Sequence, residues 1–279
     1  LLEGGAACLA TASGQAALST ALLNLADRGG SIVAPPQLYG TSHTLLAHTL
    51  RRHGIEARFA RSDRVEDIAA LIDDTTRAVF CESVGNPAGN ICDIEGIANA
   101  AHAGGVPLVV DNTVATPVLL RPIDFGADIV VHSLTKFMGG HGNSMGGILV
   151  DGGTFDWMTS GKYPMLSEPR PEYGGVVLGQ VFGNIAFAIA ARVLGLRDFG
   201  PSIAPMNAFL LLTGIETLPL RMQRHCENAL AVATWLKGHD KVAWVNYAGL
   251  PDNPNYALQQ KYAPKGAGAV FTFGLKGGY

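Results

Sequence analysis

The sequence is poor in charge. Asp, Glu, Lys and Arg make up 15% of its residues and the net charge is −3, which leaves no basic footprint for nucleic acid or for an anionic membrane. It is poor in cysteine. Cys8, Cys81, Cys92 and Cys226 are scattered, with no CxxC pair and no spacing that holds zinc. Cys8 and Cys81 fall in apolar runs, which predicts buried, inert thiols. Free thiols fit a reducing compartment. No signal peptide opens the chain, and Gly, Pro or charge interrupts every apolar run short of membrane-spanning length. These features predict a cytoplasmic protein without a membrane or nucleic-acid partner. The first strand–helix turn lacks GxGxxG, which places a nicotinamide-binding dehydrogenase last among the readings, and Gly161-Lys162 lacks the upstream glycines of a P-loop.

What is present is an apolar chain, 48% hydrophobic over 279 residues, long enough to bury a large core. Strand-like runs at Ser31–Pro35, Ile55–Ala60, Arg77–Glu82, Pro107–Asp111, Asp128–His132 and Gly147–Asp151 alternate with helical stretches at Gly14–Asp27, Ser42–His53, Val65–Ile72 and Asp93–Ala103. The alternation predicts an α/β fold with a mostly parallel sheet covered on both faces. The last run follows a loop too short for a helical crossover, so it is expected to be antiparallel. Residues 152–180 are aperiodic and read as a long functional or interface loop. Helices are expected at Phe182–Arg197 and Ala208–Lys237, the latter kinked or broken at Pro219. A strand at Lys241–Tyr247, a short helix at Asn255–Tyr262 and a strand at Ala267–Leu275 follow.

Several strand ends carry chemistry. The run 128–132 meets Ser133-Leu134-Thr135 and delivers Lys136 into a glycine-rich loop. Burial there penalises the ammonium form, and a lysine pushed toward the amine is a nucleophile or Schiff-base partner; a lysine snorkelling to water is the plainer alternative. Asp111 ends the neighbouring run, where it either caps a turn or faces a crevice shared with Lys136. Ser13-Gly14-Gln15 opens a helix after a short apolar stretch, as an ordinary cap or as a phosphate site. Tyr39 follows another run, as a turn aromatic or a stacking partner for a flat ring. Asn86, before Pro87, suits a turn or a hydrogen bond to a ring oxygen. His132 and His141 flank Lys136 without a third ligand, so no metal site is predicted. His225 reads as a surface or interface residue, and the cluster Arg51, Arg52, His53, Arg58, Arg61 and Arg64 as a solvated face.

The segments SGQAA (13–17), LYG (38–40), GNP (85–87), VVDNTVATP (109–117) and HSLTKFMGGHG (132–142) resemble the Cys/Met-metabolism family of pyridoxal-phosphate (PLP) enzymes. DGGTFDW (151–157), the block 207–230, WVNYAGL (244–250) and KGAGAVFTFGLKGG (265–278) resemble its O-acetylhomoserine sulfhydrylase branch. The resemblance implies the aspartate-aminotransferase fold type I: a mostly parallel seven-stranded sheet flanked by helices, in a large PLP-binding domain over 1–230, then the start of a small α/β domain over 231–279. It implies PLP on Lys136, a phosphate site from Gly14, Gln15, Ser133 and Thr135, Asp111 at the ring nitrogen, Tyr39 on the ring and Asn86 at the phenolic oxygen, with Thr113 also among the cofactor-binding residues. Lys136 and Tyr39 are the implied catalytic residues. The implied reaction takes O-acetyl-L-homoserine and sulfide or a thiol to L-homocysteine and acetate, in a homodimer or homotetramer. Cystathionine γ-synthase, methionine γ-lyase and O-succinylhomoserine sulfhydrylase chemistry are the implied alternatives, with a catalytically silent PLP-fold fragment as a further one. Against the family, the N-terminal arm and most of the small domain, with its substrate-carboxylate arginine, are missing. The expectation is a chain incompetent alone, cut from or incompletely representing a longer native protein.

Overall fold

The computed structural model describes residues 1–278. Nine strands form in it: β1 (Ala7–Thr11), β2 (Ser31–Ala34), β3 (Glu56–Phe59), β4 (Thr76–Glu82), β5 (Leu108–Asp111), β6 (Ile129–Ser133), β7 (Gly147–Asp151), β8 (Val242–Asn246) and β9 (Thr272–Leu275). The first seven make one sheet in the order β1-β7-β6-β5-β4-β2-β3. From β6 to β3 every neighbour is parallel, and β7 is antiparallel to both β6 and β1, as its short loop predicts. The near-continuous apolar runs of the central strands follow from burial on both faces. Along β4, Val79 and Cys81 pack into one core cluster and Ala78 and Phe80 into the other.

Helix α1 (Gly14–Leu25) lies on β6 and β7 and buries Ala17, Leu18, Ala21 and Leu22. Ser13 caps it, its Oγ accepting from the Ala16 N–H at 3.1 Å. The break expected at Pro219 is real: the Pro205–Glu216 helix stops at Thr217, and the Leu218–Lys237 helix starts with Pro219 in its first turn, where the missing N–H costs nothing. That second helix runs unbroken across residues 230 and 231, the expected domain division. β8 and β9 pair antiparallel in a separate two-stranded sheet.

Three expectations change. β9 begins only at Thr272, because Gly266 and Gly268 take φ values of +151° and +79° that do not continue a strand. Residues 152–180, expected as a long functional or interface loop, are mostly irregular but anchored in the core: Trp157, Tyr163 and Leu166 are buried, and Trp157 stacks on Phe187 at 5.2 Å. Lys162 pins this segment by donating to the carbonyls of Asp73, Thr76 and Gly104 at 3.2, 3.4 and 3.0 Å. Cys8 is exposed, whereas Cys81 is buried; on edge strand β1, Leu9 faces inward and Cys8 outward. By length and mean hydropathy Leu178–Phe199 could cross a membrane, although Gly179, Gly183, Arg192 and Gly195 interrupt it as expected. Its Phe187, Ala190 and Ala191 instead sit in the core cluster shared with α1 and the sheet.

The start of α1 leaves no room over β7. A Cβ on Gly147 would lie 2.0 Å from the Ser13 carbonyl oxygen. Gly147→Ala is therefore expected to lower stability by about 1–3 kcal/mol, read from urea unfolding, by forcing the α1 cap away from the strand.

Candidate active site

Parallel register brings three strand ends together. Glu82 pairs with Asp111, and Asp111 with Val131, so the carboxyl ends of β4, β5 and β6 open on one crevice, where open α/β sheets bind ligands. The crevice is a cavity of about 800 Å³. Gly14, Gln15, Tyr39, Asn86, Asp111, Thr113, Ser133, Thr135 and Lys136 all line it. Residues from five separate segments of the sequence thus meet at one place.

On one side stands the start of α1. Among the described residues the N–H groups of Gly14 and Gln15 have no partner, which makes an anion site with the helix dipole behind it. A Cβ on Gly14 would lie 2.6 Å from the Cβ of Ser133; only glycine lets the helix start come this close to the end of β6.

Lys136 sits in the turn after β6. Its N–H donates to the Ser133 carbonyl at 3.1 Å, and its carbonyl accepts from the Gly140 N–H at 2.8 Å. Arg221 clamps the turn from the Leu218–Lys237 helix, donating to the carbonyls of Phe137 at 2.7 Å, Met138 at 3.2 Å and Gly214 at 2.7 Å. Gly140, at φ +74°, makes room for it: a Cβ there would meet Arg221 Nη1 at 2.2 Å.

On the other side stand two carboxyl groups. Asp111 Oδ1 accepts from the Thr113 N–H at 2.9 Å, and burial pushes its carboxyl up from the usual range. Glu82 accepts from the Tyr39 N–H at 2.7 Å and from the Asn86 N–H at 3.2 Å. Burial first, then the like charge of Asp111, pushes the Glu82 carboxyl up to about 8. Among the described residues neither carboxyl has a cationic partner within salt-bridge distance. Behind the strand ends a buried network ties β4, β5 and β6. Ser83 donates to Asn112 at 2.7 Å, Asn112 donates to Glu3 at 2.8 Å, and His132 Nε2 lies 2.6 Å from the same Glu3 oxygen. His132 is thus a packing residue, and His141 Nδ1 bonds the Gly139 carbonyl at 2.7 Å. No group of three metal-ligating side chains gathers among the described residues.

Two site expectations are corrected. Lys136 is exposed on the cavity wall, because its turn carries it out of the sheet, so the argument from burial does not hold. Thr135 stays in the cavity lining, its hydroxyl donating to the Gly146 carbonyl at 3.3 Å and accepting from the Gly146 N–H at 3.2 Å; the Ser133 hydroxyl beside it has no partner among the described residues. His225 is half-buried in the cavity wall, its ring 5.4 Å from that of Phe137. Glu82 and Arg221 were not singled out in the sequence. For Glu82 a signal existed: it ends its strand as Asp111 ends the next one.

The sequence profile of the Cys/Met metabolism PLP-dependent enzymes matches residues 1–279. The chain belongs to that family. It is 51% identical, over 99% of its length, to a homocysteine synthase of Schizosaccharomyces pombe and 52% identical, over 100%, to O-acetyl-L-homoserine sulfhydrylase 1 of Thermus thermophilus. It spans 65% and 66% of the lengths of these curated relatives. A Campylobacter jejuni protein solved with a pyridoxyl-lysine monophosphate residue superposes with a TM-score of 0.95 at 40% identity, covering 99% of this chain and 68% of that one. The cavity fits the cofactor of this family: free helix-start amides suit a phosphate, unpaired carboxyls suit a protonated ring nitrogen, and a lysine amine lies in the same wall.

Because the folded chain holds a proton on Glu82 that the unfolded chain releases above pH 4.5, the cofactor-free protein should lose stability as pH rises from about 4.5 toward about 8. Glu82→Gln should flatten that part of the profile relative to wild type, as measured by urea unfolding at intervals across it.

Proposed function

We propose that the whole protein is a PLP-dependent γ-replacement enzyme, converting O-acetyl-L-homoserine and sulfide to L-homocysteine and acetate. The observation that supports this best is the cavity that joins Lys136, Asp111 and the free amides at the start of α1. The names of the S. pombe and T. thermophilus relatives supply the substrate and product.

In this reading Lys136 Nζ carries PLP. The N–H groups of Gly14 and Gln15, with the Ser133 hydroxyl and the Thr135 segment, hold its phosphate. Asp111, its Oδ1 bonded by the Thr113 N–H, would hold the ring nitrogen, Tyr39 would stack on the ring and Asn86 would bind its phenolic oxygen. When bound, PLP supplies an electron sink for the carbanion chemistry. Asp111 keeps the ring-nitrogen proton in place, and its lack of a protein cation leaves its charge for that task. Lys136 Nζ, as a free amine, would remove the substrate Cα proton and then one at Cβ. Tyr39, with its hydroxyl at the same opening, assists proton transfer at the amine. Acetate would leave from Cγ, sulfide would add there, and protons returned to Cβ and Cα would complete homocysteine.

Residues 1–230 form the large cofactor-binding domain and 231–279 begin the small one, with the Leu218–Lys237 helix shared across the division. The protein works in the cytoplasm, in keeping with its four free thiols. It assembles as a homodimer or homotetramer, to which the exposed apolar face of Met206, Phe209 and Leu212 is suited.

Borohydride reduction of the PLP-loaded protein, followed by peptide mapping, should place a pyridoxyl group on Lys136. Lys136→Ala should lose the adduct and turnover together, and an adduct on a different lysine would reject the assignment. Asp111→Asn should weaken PLP binding and cut turnover far more than it changes the unfolding midpoint, since each lost pKa unit at the ring nitrogen is worth about 1.4 kcal/mol. An Asp111→Asn protein that is unstable yet nearly fully active would assign Asp111 to turn capping. Homocysteine formed from O-acetyl-L-homoserine and sulfide, but not from the succinyl ester, fixes the leaving group.

A further inference from the structure

We propose that Glu82 is a positioning residue for the cofactor ring: its carboxyl group brackets the segments carrying Tyr39 and Asn86 and holds both in register with Asp111. This rests on the reading that PLP is carried by Lys136 with Tyr39 and Asn86 on its ring.

Tyr39 and Asn86 come from different parts of the chain, one after β2 and the other after β4. Glu82 joins them through backbone, one oxygen accepting from each N–H. The Tyr39 side chain is 43% exposed, so little packing around the ring holds it in place. Its position is set by the backbone, and the backbone is anchored on Glu82. A carboxyl group offers two acceptor oxygens in a rigid fork. Glutamine would turn an NH2 group toward one of the two N–H donors, and aspartate is one methylene too short to span both.

Folding alone does not account for an acid here. Glu82 is 5% exposed, has no cationic partner among the described residues, and stands beside a second acid, its strand neighbour Asp111. A buried acid without a cation costs stability, and an apolar residue would avoid that cost. A cationic ring nitrogen held at Asp111 reduces it, which ties the placement of Glu82 to an occupied site.

The test uses Glu82→Gln, Glu82→Asp and Glu82→Ala in the whole protein. PLP affinity is measured by titrating each cofactor-free protein, and ring orientation by the visible circular dichroism of bound PLP at saturation. Glu82→Gln should bind PLP roughly tenfold more weakly, the scale of one lost buried hydrogen bond, with an altered dichroism band. Glu82→Asp should fall between wild type and Glu82→Ala. Wild-type affinity and an unchanged band in Glu82→Gln would overturn the proposal, and that variant decides the matter if Glu82→Ala fails to fold. Borohydride mapping separates the two levels. A pyridoxyl group on Lys136 of wild type, with no effect from Glu82→Gln, rejects only the role of Glu82; wild-type label on another lysine rejects the underlying site as well.

Discussion

The parallel pairing of β4, β5 and β6 is the constraint on which the site depends. In a parallel sheet all strands end at the same edge, so a polar residue closing one strand stands beside the polar residue closing the next. Glu82 and Asp111 are register partners, and Ser133 ends the strand beside them. Moving any of these strands by one residue would turn its terminal side chain to the opposite face. The buried network from Ser83 through Asn112 and Glu3 to His132 holds the ends from behind, where a slip would leave several buried polar groups without partners.

The edge is electrically asymmetric. Unpaired carboxyls occupy the β4 and β5 side. The positive end of α1, with two amides free, occupies the β6 side. A ligand with a cationic ring at one end and a phosphate at the other matches both sides at once. The glycines serve the same arrangement: Gly14 lets helix meet strand, and Gly140 admits Arg221 against the lysine turn.

The strands and the main site residues were legible because each signal was local. Asp111, Lys136 and Ser13-Gly14 stand where an apolar run meets a polar turn, and the alternation of runs marked the parallel sheet. The misplaced features share a different cause. Cys8 lies in an apolar run, but only the pairing of β1 as an edge strand leaves its side chain outside. The segment 152–180 has no periodicity, yet its Trp157 and Tyr163 fill the space beside Phe187. Lys136 follows a buried strand, but a tight turn lifts it to solvent.

By itself the sequence determined the fold class, the strand ends that carry chemistry and the family, because apolar periodicity, turn residues and the lysine segment are properties of neighbours along the chain. Only the tertiary structure decided that Glu82 anchors Tyr39 and Asn86, that Arg221 clamps the lysine turn, and that His225 stands in the cavity wall. Arg221 and the Phe137 carbonyl are 84 residues apart in sequence, and Tyr39 and Glu82 are 43 apart. Such contacts exist only once the sheet and the Leu218–Lys237 helix have packed, and no local pattern of apolar and polar residues encodes them.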